Sequence, residues 1–162
     1  MNEPLICPID DVASLLPHSG KMVLLERITD YSEQHLLAQA HVHEDHILLR
    51  NGVLPCIAGM EIMAQGVAAW AGCHAHNAGE AVRLGFLLGT RKLNLFTDVI
   101  PIGTQLQIKV KVSTQDQNGI GVFDCELYWI DAPIDKRTIL PENGLLIQAA
   151  LNVYSPKNGT AM

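Results

Sequence analysis

Charge is scarce in this chain of 162 residues, at 17%, and so are aromatic side chains, at 5%. Basic residues are fewer than acidic ones, 11 against 17, for a formal net charge of -6. That deficit excludes a general nucleic-acid binder, which needs a basic face. Low charge beside 48% apolar residues excludes a disordered, solvating chain. There is no C-x-x-C pair. Cys7, Cys56, Cys73 and Cys125 lie far apart, so neither a zinc knuckle nor a disulfide scaffold is expected, and reduced thiols in the cytoplasm fit better. Met1-Asn2-Glu3-Pro4 offers no basic region before an apolar stretch, so no secretory signal is read there. Repeats and low-complexity tracts are absent as well. A length of 162 residues gives one domain, 1–162, able to bury roughly 70% of its unfolded surface without staples.

What is present is alternation and one apolar block. Val12 to Leu16 reads as a short helix that Asp10 or Asp11 can cap and Pro17 ends. Met22 to Ile28 reads as an apolar strand. Leu36, Ala38, Ala40 and Val42 alternate with polar neighbours as a second strand. Asn51-Gly52 marks a turn. Val82 to Leu95 holds strand material broken by Gly85 and Gly89. Gln105 to Ser113 alternates, Asn118-Gly119 signals a hairpin, and Ile120 to Ile130 answers it. Leu145 to Tyr154 closes the series, and the tail after about 155 is expected to fray.

Cys56 to Cys73 is the unusual segment. Its alanines and methionines favour helix, with Pro55 where a helix can start. Apolar side chains cover every side, so burial all round is expected. Length alone would allow a membrane span, but Glu61 falls inside and no basic cluster flanks it, so no span is read. The whole reads as α+β: one antiparallel sheet wrapped around a long buried helix. One curved sheet cannot cover that helix fully, so a dimer is expected.

Four features carry possible chemistry. His41-Val42-His43-Glu44-Asp45-His46 has zinc-like spacing, but the only later histidines are His74 and His76. No metal is assigned. His41 and His43 read as a strand's wet face. Glu61 is a carboxyl in an apolar helix, which is costly unless paired, neutral or functional. Gln65, one turn on, can hydrogen-bond it and hold its rotamer. His46, just past a strand, could supply a base to match that acid. The backbone N–H groups of Cys56 and Ile57, at the helix start, are left over by the helix ladder and could stabilise an oxyanion.

Pro55-Cys56-Ile57-Ala58-Gly59-Met60-Glu61-Ile62-Met63-Ala64-Gln65 resembles the helix motif of the 3-hydroxyacyl-ACP dehydratases, the FabZ/FabA family of hotdog proteins. Leu16-Pro17-His18 with Met22 to Ile28, and Asp98 to Leu106, resemble further parts of that family. The ApeP-type dehydratases of aryl polyene clusters look most alike. The resemblance implies a hotdog fold and dehydration of a 3-hydroxyacyl thioester to the trans-2-enoyl thioester. The substrate would ride on the phosphopantetheine of an acyl carrier protein, with no other cofactor. By the same match His46 is the catalytic base and Glu61 the catalytic acid. They would meet across a dimer interface, with Cys56 polarising the thioester carbonyl. Arg50, Arg83, Arg91 and Lys92 are candidate docking cations. The sequence departs from the family pattern in three places, one of them a spacing from His46 to Pro55 that is one residue longer than in FabZ and FabA. His46-Ile47-Leu48-Leu49 stands where His-Phe-Pro-Gly is usual, and Cys56 replaces a glycine. Homodimer and heterodimer both stay open. So do two rivals, a hotdog thioesterase and a non-catalytic subunit of a hotdog heterodimer.

Overall fold

The structure, a computed structural model, describes residues 2–156. The expected frayed tail therefore falls mostly outside the described residues. Eight strands form: β1 (Arg27–Tyr31), β2 (His35–His41), β3 (Val53–Pro55), β4 (Phe86–Leu95), β5 (Val99–Pro101), β6 (Gln105–Gln115), β7 (Ile120–Asp131) and β8 (Leu145–Tyr154). One long helix, α1 (Gly59–Asn77), follows a 3-10 turn at Cys56–Ala58. Six strands make one antiparallel sheet in the order β1-β2-β6-β7-β8-β4, and β3 pairs with β5 apart from it.

Period-two burial drives the sheet. Leu36, Ala38 and Ala40 on β2, and Leu106, Ile108 and Val110 on β6, are all at most 1% exposed. Phe123, Cys125 and Leu127 continue that inner face on β7. The Asn118-Gly119 turn connects β6 to β7, with Asp116 accepting from the Asn118 and Ile120 N–H groups. Asn51 (φ 53) and Gly52 (φ 80) form the expected tight turn, closed by reciprocal Arg50–Val53 backbone bonds.

Helix α1 lies in the trough of this sheet. Gly72 lets it sit flush on the first 3-10 turn, where an added Cβ would meet the Leu15 carbonyl oxygen at 1.9 Å. The helix is long and apolar enough, by length and composition, to cross a membrane. Here the sheet uses that apolarity as core, with Ile62, Met63, Ala69 and Cys73 all 0% exposed.

Three expectations are corrected. The helix is not buried all round: Ile57 and Glu61 are exposed, and Met60, Ala64, Ala68 and Ala71 are half-buried. One sheet covers one side, and the opposite side of the helix is only partly covered by the described residues. The strand expected over 22–28 begins only at Arg27. The backbone of Met22 and Leu24 is bonded to the Gln65 side chain instead of a neighbouring strand. The first helix is a single 3-10 turn, Ala13–Leu15, without a side-chain cap, and Asp10 turns to Arg27 at 2.6 Å.

Candidate functional site

The start of the helix is built by β3, which runs through Pro55 into Cys56. Cys56 is 1% exposed, and its thiol is pushed up to about 11 by burial. Its N–H donates to the Asp98 carbonyl at 2.9 Å. The expectation that this N–H is unpaired therefore fails: the residue entering β5 has taken it. One residue on, Ile57 stands in the first turn, 49% exposed. Of the two helix-start residues, Cys56 has its N–H committed to the neighbouring β5 segment.

Glu61 projects from the less covered side of α1, without hydrogen bonds among the described residues. Gln65 does not hold it. The Gln65 Oε1 accepts from the Leu24 N–H at 2.8 Å, and its Nε2 donates to the Met22 carbonyl. The amide is 4% exposed and fastens the 22–24 segment to the helix. The spacing placed Gln65 correctly on the helix edge. A backbone segment that cannot form strand pairs claims it first.

A groove of about 480 Å³ runs along this side of α1 from Glu61 past Ala64, Ala68 and Ala71 to Ala75. Leu87, Ile120, Phe123 and Val153 form its apolar wall, and Pro17 and His18 also line it. Glu80 and Arg83, paired at 2.8 Å, line it as well. His18 has no assigned role in the sequence reading, although Leu16-Pro17-His18 stood out there. Its place on the groove wall depends on tertiary contacts that spacing does not reveal.

His46 is not among the groove's lining residues. It is half-buried in the loop between β2 and β3. Burial holds its pKa below the ordinary 6.5, and His43 pushes the same way against the nearby Asp45. Its Nδ1 accepts from the Leu48 N–H at 3.2 Å, which puts the neutral ring's proton on Nε2. Taking a proton at Nε2 requires that long contact to give way. His41 and His43 turn to separate partners, Gln105 at 3.0 Å and Glu26 at 2.8 Å. In the single chain the candidate acid lines the groove and the candidate base does not.

A lone sheet that wraps one helix, with a groove along the helix's less covered side, defines a hotdog protein. The comparisons narrow the class. A family model described as ApeP-like, ApeP dehydratase, matches residues 10–162. A chain of the dehydratase heterocomplex ApeI:P from Xenorhabdus doucetiae is 30% identical, with a TM-score of 0.78 over 95% of this chain and 94% of that one. A hypothetical thioesterase with coenzyme A from Streptococcus pneumoniae TIGR4 is 14% identical, with a TM-score of 0.54 over 79% of this chain and 83% of that one. The thioesterase HI1161 from Haemophilus influenzae is 16% identical, with a TM-score of 0.54 over 81% of this chain and 77% of that one. These two are alike in fold alone. No curated protein matches the chain in sequence. The chain belongs to the ApeP-like dehydratase family.

Proposed function

We propose that this chain is one subunit of a hotdog dehydratase that removes water from a 3-hydroxyacyl thioester, giving the trans-2-enoyl thioester in aryl polyene biosynthesis. The substrate rides on the phosphopantetheine of an acyl carrier protein in the cytoplasm. The other subunit is a second hotdog chain of the ApeI type. The observation behind this reading is that Glu61 lines the groove on the helix's less covered side while His46 is not among the lining residues. A hotdog dimer brings two such surfaces face to face. Glu61 then protonates the departing hydroxyl at one centre, opposite the other subunit's base. His46 takes the α-proton at the second centre, opposite the other subunit's acid. The Ile57 N–H, in the first turn at the helix start, suits the thioester oxygen as its charge grows.

The non-catalytic rival has its own support, because the Cys56 N–H and the Gln65 amide are both engaged in structure. The test is dehydration of a 3-hydroxyacyl carrier protein by the co-expressed heterodimer. Glu61→Gln and His46→Ala in this chain are each expected to remove their own centre's share, about 10²–10⁴-fold at that centre. Full activity in the double variant assigns the chemistry to the other subunit. Free acid as product instead of enoyl thioester would mean a thioesterase.

A further inference from the structure

The segment Leu15 to Leu24 is pinned to α1 at two points. At one end the Leu15 carbonyl lies against Gly72, with no room for a Cβ. At the other, the Gln65 amide bonds both the Leu24 N–H and the Met22 carbonyl. Between these anchors His18 is set on the wall of the groove that Glu61 also lines. The Nδ1 of His18 is buried with no hydrogen-bond partner. An orphaned buried N–H costs more than an orphaned lone pair, because the donor forfeits its water and gains nothing. The proton therefore belongs on Nε2, and the imidazole keeps one donor uncommitted.

We propose that His18 is a specificity residue for the 3-hydroxyl group: its Nε2–H donates to the hydroxyl oxygen that Glu61 protonates. The inference rests on the dehydratase reading, and it adds a residue of this chain that neither the base nor the acid role requires. His18 supplies a donor that distinguishes a 3-hydroxyacyl chain from a plain acyl chain. The pinned segment prevents it from swinging away when the groove is empty.

The test measures binding of two non-reacting probes to the assembled heterodimer, 3-hydroxyoctanoyl-pantetheine amide and octanoyl-pantetheine amide. The unaltered protein should prefer the hydroxylated probe by about five- to tenfold. His18→Phe and His18→Asn should abolish the preference while leaving octanoyl binding unchanged. His18→Gln, whose amide nitrogen reaches the position of Nε2, should restore it. If His18→Phe does not fold, the Gln and Asn pair decides alone. A preference that persists in the Asn variant overturns the proposal, and so does one lost equally in Gln and Asn, which marks a packing role. In both cases a complex that still dehydrates its substrate leaves the dehydratase reading standing. Failure of the unaltered complex to dehydrate any 3-hydroxyacyl carrier protein overturns that reading, and the proposal with it.

Discussion

At the scale of single residues, Gln65 shows how a motif position can be taken over by the backbone. Its two bonds satisfy a buried N–H and a carbonyl that no strand pairs. Gln65→Leu keeps the volume and removes both partners. Leu24 is buried while Met22 is 55% exposed and its carbonyl can return to water, so one orphaned group at about 1–3 kcal/mol sets the loss expected in urea unfolding. Gln65→Glu keeps the acceptor for Leu24 but sets a buried carboxylate against the Met22 carbonyl, and it should cost at least as much as Gln65→Leu at neutral pH. His46 gives a prediction in pH. Its folded pKa lies below the unfolded 6.5. Above 6.5 neither state binds the proton, so stability is unaffected. As pH falls below 6.5 the unfolded chain takes up a proton that the folded ring resists, and stability declines until the lowered value is passed. In pH titrations of unfolding, His46→Gln should lack that decline. If His46 is the base, the acid limb of kcat/KM lies below 6.5. His43→Ala should raise it and Asp45→Asn should lower it, since His43 depresses and Asp45 raises this pKa.

At the scale of elements, the glycines of α1 set how deeply the helix sits. At Gly66 a Cβ would meet the methyls of Ile108 and Val110 at 2.9 and 3.0 Å. Those side chains can shift, and alanine's better helix propensity returns about 1 kcal/mol. Gly66→Ala should therefore change stability by no more than about 1–2 kcal/mol. At Gly72 the obstacle is the Leu15 carbonyl at 1.9 Å, which is backbone. Gly72→Ala should cost more than Gly66→Ala in the same urea titration and loosen the segment bearing His18. The order of the two losses is the check.

The same contrast explains what the sequence made legible. Strands β2 and β6 follow from alternation because each has one face on the core, whereas β8 is buried on both faces at Leu146, Ile147, Ala149, Ala150 and Leu151. Strand β4 is less regular, with bulges at Leu87/Gly89 and Arg91/Asn94, and the Ile134–Ile139 turn gave no periodic signal. Glu61 was legible because a charge in an apolar helix is costly. The engagement of the Cys56 N–H by Asp98 was not, since it joins positions 42 residues apart through the β3–β5 pairing. His18 escaped for the same reason: its meaning lies in two tertiary anchors.

At the scale of the whole molecule, the less covered side of the helix and the edge of the sheet pose one problem. Strand β4 pairs with β8 on one side only. It exposes Phe86 at 51%, Leu87 at 38%, Leu88 at 59% and Leu95 at 42%. An edge this apolar, with an open row of backbone donors and acceptors, invites another strand. Leu87 also lines the groove, so a chain that pairs with β4 would wall in the same space that Glu61 faces. Assembly and chemistry are then one event. Leu88→Lys places a charge at the centre of that edge. A surface change of this kind should alter the folding stability of the isolated chain by no more than about 0.5 kcal/mol. Its effect should appear in assembly, as an affinity for the second hotdog subunit weakened by about tenfold or more in sedimentation velocity. Dehydration should fall in parallel at low subunit concentration and recover at high concentration, because Glu61 and His18 are untouched. Ile134→Lys is the control: Ile134 is 82% exposed on the turn between β7 and β8, and its replacement should leave both affinity and activity unchanged. Equal affinity in the Leu88 variant would mean that the second subunit covers α1 by some route other than the β4 edge.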